Sequence, residues 1–131
     1  MKRITNELLK TGLTKVLKSI YDLEKPLVML ARGFCVGLGF TMLSLADFVY
    51  CTPETKFFTP FMQSFQSPEG GSTSFFPQYF GMHKASEILL TDRIISAKEA
   101  LQAGFVNGIL NNIPMEDYFD LNLLPCIPKI L

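Results

Sequence analysis

The stretch from Pro26 to Tyr50 constrains this chain most, because it is an almost continuous apolar run whose only charges are Arg32 and Asp47. Such a run has to be buried. Fourteen residues separate Arg32 from Asp47, short of the roughly 20 that cross a bilayer, so it reads as core and not as a membrane span. Leu27 to Ala31 has the length of a buried parallel strand, and Arg32-Gly33 is turn-prone. Gly37 to Ala46 opens on glycines and continues as a helix of two to three turns. Asp47 to Cys51 is a second strand, closed by Thr52-Pro53-Glu54. Strand, helix, strand is a βαβ-like unit with a right-handed crossover.

The rest of the chain alternates in the same way. Ile4, Leu8, Leu9, Leu13, Val16, Leu17 and Ile20 recur at helical spacing, so residues 4–20 read as an amphipathic helix within a leading segment 1–24. Phe57 to Phe65 reads as a short strand or extended stretch broken by Pro60. The loop Gln66 to Gly71 follows, and then a helix from Ser72 to Phe80 in which Pro77 signals a kink or an early stop. A helix from His83 to Leu90 comes next. Ser96-Ala97-Lys98-Glu99 has capping-box spacing and Gly104 stands at a helix C-cap, giving a short helix over 97–103. Phe105 to Leu110 forms a last apolar strand or edge. Residues 25–110 make the core of one α/β domain, and 111–131 an irregular tail.

Composition removes several function classes. Twelve basic residues balance twelve acidic ones and are scattered, so no basic face exists for nucleic acid. Cys35, Cys51 and Cys126 are odd in number and lack CxxC spacing, which indicates neither a disulfide framework nor a zinc site and points to a reducing, intracellular compartment. No cluster of ligands calls for a metal, and the lone His83 reads as a solvated surface residue. Neither a secretory signal nor a peroxisomal C-terminal address is visible.

Chemistry is expected where glycine meets a helix start. In Gly33-Phe34-Cys35-Val36-Gly37-Leu38-Gly39 the glycines can leave peptide N–H groups facing outward at the positive end of a helix, as a nest for an oxyanion. They can equally serve close strand–helix packing. Glu69 lies between Pro68 and Gly70-Gly71, directly before a helix and near Phe61, Phe65, Phe75 and Phe76 in sequence. Enclosure by those rings would raise its pKa toward the range of a general base. On spacing alone, an acid favourable to the helix dipole is the stronger reading.

Resemblance changes that balance. KPLVMLARGFCVGLGFTMLSLADFVY, TKFFTPFMQSFQSPEGGST and ISAKEALQAGFVNGIL, in this order between Lys25 and Leu110, resemble the enoyl-CoA hydratase/isomerase (crotonase) superfamily. The F-x-T-P-F and Q-S-P-E-G-G pattern is similar to the peroxisomal-type Δ3,Δ2-enoyl-CoA isomerases. The resemblance implies a crotonase-like ββα spiral, here a partial domain.

It also implies roles. In the hydratases two glutamates activate water, and their places hold Thr41 and Phe61 here, which disfavours hydration. In the isomerases one loop glutamate shuttles the proton, and Glu69 matches it. The Leu38 peptide N–H matches an oxyanion-hole donor, and Phe34, Phe61 and Phe65 match an acyl lining, although packing would explain those rings equally. The implied partner is an acyl-CoA thioester as substrate, with no further cofactor. A homo-oligomer (trimer or hexamer) and a peroxisomal or mitochondrial setting are implied as well. The family's N-terminal half, with its other oxyanion donor, has no counterpart in residues 1–24. Losing such a donor costs roughly 2.7–4 kcal/mol, so weak or absent activity is expected of this chain alone. The alternative is a non-catalytic CoA-binding or protein-interaction module of the chromodomain-Y-like type, which commonly has Asp in the loop where this chain has Glu69.

Overall fold

The computed structural model describes residues 12–111, with Pro114 and Asp117. Residues 4–11 of the helix predicted over 4–20, Cys126 and most of the expected tail lie outside the described residues. Helix α1 (Gly12–Tyr21) leads in and covers the turn Met42–Leu45 with one face.

Two three-stranded sheets follow. In the first, β1 (Val28–Ala31) pairs in parallel with β3 (Phe48–Cys51), which pairs in parallel with β6 (Gly108–Ile109). In the second, β2 (Phe34–Val36) runs parallel to β4 (Lys56–Phe58), which pairs antiparallel with β5 (Ile95–Ser96). Strands β2 and β5 are additions to the sequence reading. Phe34-Cys35-Val36 is a strand because left-handed Gly33 (φ 67°) and Gly37 (φ 54°) turn the chain on either side of an apolar run.

Short strands need help with register, and polar side chains supply it at their ends. The Asp47 carboxylate accepts from Leu27 N–H at 2.8 Å while Asp47 N–H donates to Leu27 O at 3.0 Å. Thr55 Oγ1 donates to Ala31 O at 3.1 Å and accepts from Thr52 N–H at 3.1 Å. Asn107 Oδ1 accepts from Val49 N–H at 2.7 Å, which starts the β3–β6 pairing.

Between β2 and β3 the chain forms α2 (Leu38–Thr41), which tightens into a 3₁₀ turn over Met42–Leu45. The expected helix of two to three turns is therefore one α-turn and one 3₁₀ turn. After β4, the anticipated extended run to Phe65 stops at Pro60, and Pro60 to Gln66 folds into a turn closed by Ser64 N–H to Pro60 O at 3.0 Å and Gln66 N–H to Phe61 O at 2.8 Å. Helices α3 (Ser72–Phe80), α4 (Met82–Thr91) and α5 (Ala97–Gln102) complete the set. Helix α3 passes through Pro77 without stopping. A proline there forfeits one intrahelical hydrogen bond, and its neighbours Phe76 and Phe80 anchor the helix in the core.

That core centres on Phe40. Its ring lies 4.6 Å from that of Phe76, 5.1 Å from Phe105 and 5.2 Å from Phe57. Helix α2, strand β4, helix α3 and the segment before β6 thus meet on one side chain.

The capping box forms as expected. Glu99 N–H donates to Ser96 Oγ at 3.2 Å, and the Glu99 carboxylate accepts from Ser96 N–H at 3.0 Å. Its other oxygen meets Arg93 at 2.8 Å and Lys84 at 3.4 Å. Hydrogen bonds from Ser96 above all, then from Lys84 and Arg93, hold the Glu99 carboxyl down to about 2. A carboxyl lowered in the folded state stabilises above its unfolded pKa and loses that contribution as pH falls through its folded one. Stability should decline between about pH 4.5 and pH 2 for this reason, by roughly 1–2 kcal/mol after solvent screening. Denaturant unfolding at pH 7 and pH 3 should show a smaller acid loss in Glu99→Gln than in the unmodified chain.

Candidate functional site

The glycine-rich turn is set by the sheet beneath it. Gly37 N–H donates to Phe58 O at 3.0 Å, which extends the β2–β4 ladder by one residue and fixes the entry to α2. Gly37 has φ 54° and ψ −119°, a conformation suited to glycine. Its carbonyl accepts from Phe40 N–H at 2.9 Å and Thr41 N–H at 3.0 Å. The N–H groups of Leu38 and Gly39 are left without an acceptor among the described residues, at the positive end of the helix. A Cβ placed at Gly33, Gly37 or Gly39 would meet nothing within 4 Å. Close packing is therefore not what glycine serves here, which removes that alternative.

The acidic loop reaches the same turn. Gly70 and Gly71 are both left-handed (φ 63° and 76°), and Ser72 N–H donates to Glu69 O at 3.0 Å, closing the loop onto the start of α3. A Cβ on Gly70 would lie 2.3 Å from Thr41 Oγ1 and 2.8 Å from Thr41 Cβ. The same Thr41 Oγ1 donates to Leu38 O at 3.4 Å. Thr41 thus links the loop that bears Glu69 to the turn that bears Leu38, and Phe40 on Phe76 ties the two helices below. Glu69 itself is half-buried.

The aromatic residues do not form the enclosure that sequence proximity suggested. Phe61 and Phe76 are buried in the core, and Phe75 packs beneath Gly71, 2.8 Å from the position a Cβ would take. Phe65, with φ 53°, is 98 % exposed and does not close over the acid. Phe34 is 71 % exposed on β2, edge-on to Phe58. The predicted site residues therefore fall into two groups: Glu69 and Leu38 are joined through Thr41, and the three phenylalanines are dispersed. An open cavity of about 450 Å³ adjoins Gly70 and Gly71, lined also by Leu17, Tyr21, Leu45 and Phe75.

Other groups are poorly placed for chemistry. Burial raises the Cys35 thiol, and burial, Cys35 and Glu54 push Cys51 up to about 11, so neither is primed as a nucleophile. His83 is exposed at the start of α4. Among the described residues no group of His, Cys, Asp and Glu could hold a metal ion, and no helix is long and apolar enough to cross a membrane. The residue that sequence reasoning passed over is Thr41, noted only for what it lacked. Its link to Gly70 spans 29 positions, and no local pattern signals it.

A pair of N–H groups without acceptors among the described residues and a loop glutamate, linked by one threonine on a two-sheet α/β frame, agree with the match to the Enoyl-CoA hydratase/isomerase family over residues 1–121. The chain belongs to that family. The match takes in α1, beyond the Lys25 to Leu110 stretch that carried the resemblance. The chain is 39 % identical over 98 residues to the Δ3,5-Δ2,4-dienoyl-CoA isomerase of Pyricularia oryzae, covering 75 % of this chain and 35 % of that protein. It is 39 % identical over 100 residues to the peroxisomal enoyl-CoA delta isomerase 3 of Mus musculus, covering 73 % and 32 %. The human chromodomain Y-like protein is 37 % identical over 86 residues, covering 66 % and 14 %. Among solved structures, an enoyl-CoA hydratase/isomerase from Pseudoalteromonas atlantica superposes with a TM-score of 0.77 at 31 % identity, covering 89 % of this chain and 46 % of that one. The chain spans about a third of the length of those two isomerases, and just under half of that solved structure. It carries part of the crotonase-like fold.

The Thr41–Gly70 contact makes a prediction. Gly70→Ala adds a clash to a left-handed backbone and should destabilise by about 2–4 kcal/mol. Thr41→Ala removes the nearest clashing atom, so the added cost of Gly70→Ala should fall by about 1 kcal/mol or more in that background. Equal costs in the two backgrounds, measured by denaturant unfolding, would show that the two residues do not couple.

Proposed function

We propose that this chain carries the proton-shuttling site of an enoyl-CoA isomerase that moves a 3-enoyl-CoA double bond to the 2-position. The observation that supports the reading is the link from the Glu69 loop through Thr41 to the Leu38 turn, which brings the loop that bears the carboxylate up to the turn that bears the free N–H groups. The Glu69 carboxylate takes the C2 proton of the thioester. The electron pair moves through a dienolate onto the thioester oxygen, where the Leu38 N–H stabilises it. Glu69, now protonated, returns the proton at C4, and the double bond lies between C2 and C3. One base suffices because one proton is moved and no water is added.

Thr41 and Phe61 support isomerisation over hydration, since both are buried and neither has an acid–base group. The names of the Pyricularia oryzae and mouse relatives support the same reading. The reaction needs no cofactor beyond the acyl-CoA substrate. With Phe61 held in the core, Phe34 and Phe65 are the rings free to meet an acyl chain or a neighbouring subunit of a homo-oligomer. The mouse relative's name supports a peroxisomal setting, and a double-bond shift of this kind fits fatty acid β-oxidation.

The test is turnover of a 3-enoyl-CoA by the purified chain, followed through the conjugated 2-enoyl thioester. Glu69→Gln should lower it at least about a hundredfold while acyl-CoA binding persists. Undiminished turnover in the variant would remove Glu69 as the base. Binding without turnover that persists when the family's N-terminal half is supplied alongside the chain would favour the non-catalytic CoA-binding module.

A further inference from the structure

We propose that Asp92 is a positioning residue for the Glu69 loop, an inference that rests on the isomerase reading for its catalytic consequence but not for its structural one. Asp92 ends α4 in the left-handed region (φ 53°, ψ 33°). Among the described residues only Asp92 and Phe65 are non-glycines with positive φ, and Phe65 closes the very turn that Asp92 holds. Glycine would adopt this conformation with less strain. A side chain kept there despite the strain calls for a compensating contact, and both carboxylate oxygens make one. Oδ1 accepts from Met62 N–H at 3.1 Å and Oδ2 from Gln63 N–H at 2.9 Å.

These bonds cap the turn that launches the catalytic loop. Just upstream, Thr59 Oγ1 donates to Ile88 O at 3.2 Å, a second tie to α4. Phe61 is buried in the core, and its carbonyl receives Gln66 N–H at 2.8 Å. Three residues later comes Glu69, and Gly70 is then wedged against Thr41. The segment carrying the base is thus hung between two fixed points, one held by Thr41 and the other by Asp92. Without the carboxylate, the Met62 and Gln63 N–H groups turn to water and the upstream point loosens. Displacing a catalytic group by about 1 Å can cost on the order of a hundredfold in rate, so the effect reaches chemistry through Glu69 and not by contact with substrate.

The experiment compares the unmodified chain with Asp92→Gly and Asp92→Asn by residue-resolved amide hydrogen exchange, thermal unfolding and 3-enoyl-CoA kinetics. Asp92→Gly relieves the backbone strain, so its melting temperature should hold or rise. Its Met62, Gln63 and Gln66 amides, and those from Glu69 to Ser72, should nevertheless exchange about tenfold faster or more, with α4 unchanged. Asn keeps one acceptor oxygen and should restore part of the protection. Turnover in Asp92→Gly should fall about tenfold or more in kcat with little change in KM, and partly recover in Asp92→Asn. Unchanged exchange across 62–72 in Asp92→Gly would overturn the proposal. So would faster exchange spread evenly over the chain with a lowered melting temperature, which would mark a general structural role. The exchange pattern decides the role of Asp92 whether or not the chain turns over 3-enoyl-CoA, and the turnover assay alone bears on the isomerase reading.

Discussion

The fold depends on the packing of Phe40. Its four ring contacts reach Phe57, Phe76, Phe80 and Phe105, which belong to a strand, one helix and the approach to the last strand. Each such pair contributes about 0.5–1.5 kcal/mol beyond burial, a sizeable share of the stability available to a small domain. Phe40 stands two residues after Leu38, and Phe76 seven after Glu69. The contact that holds the core therefore also sets the separation of the two helix starts that form the site.

Around that apolar centre, polar side chains work at the ends of elements. Asp47, Thr55, Asn107 and Asp92 each bind backbone groups at a place where a strand or turn would otherwise leave them unpaired. Strands of two to four residues have few ladder bonds of their own, so register falls to these side chains. Arg93 and Lys84 converge on Glu99 in the same spirit, joining α4 to the capping box of α5.

Isomerisation and hydration differ in the number of acid–base groups they need. At the position where the resemblance implies a glutamate in hydratases, Thr41 is a short side chain that links two backbone segments. Its role is steric and orienting. Phe61 likewise exchanges a chemical group for core packing beneath the turn that Asp92 caps.

The sequence by itself determined the elements whose signals are local. Strands β1 and β3 follow from short apolar runs bounded by turns, α3 and α4 from the two stretches Ser72 to Phe80 and His83 to Leu90, and α5 from a capping box whose partners lie three residues apart. Glu69 and Leu38 took their expected roles from the resemblance, since spacing alone favoured a helix-dipole acid and left the glycines open. Tertiary structure decided whatever rests on distant partners. Strand β2 looks like part of a glycine turn until β4 pairs with it, and β5 is two residues long. Pro77 reads as a break until Phe76 and Phe80 anchor its helix. Helix α2 gives way to a 3₁₀ turn that α1 covers from a distance of about thirty residues in sequence. The links from Thr41 to Gly70 and from Asp92 to Met62 join positions about thirty residues apart. Contacts of that kind form only when the chain folds back on itself, so no periodicity or spacing along the sequence encodes them.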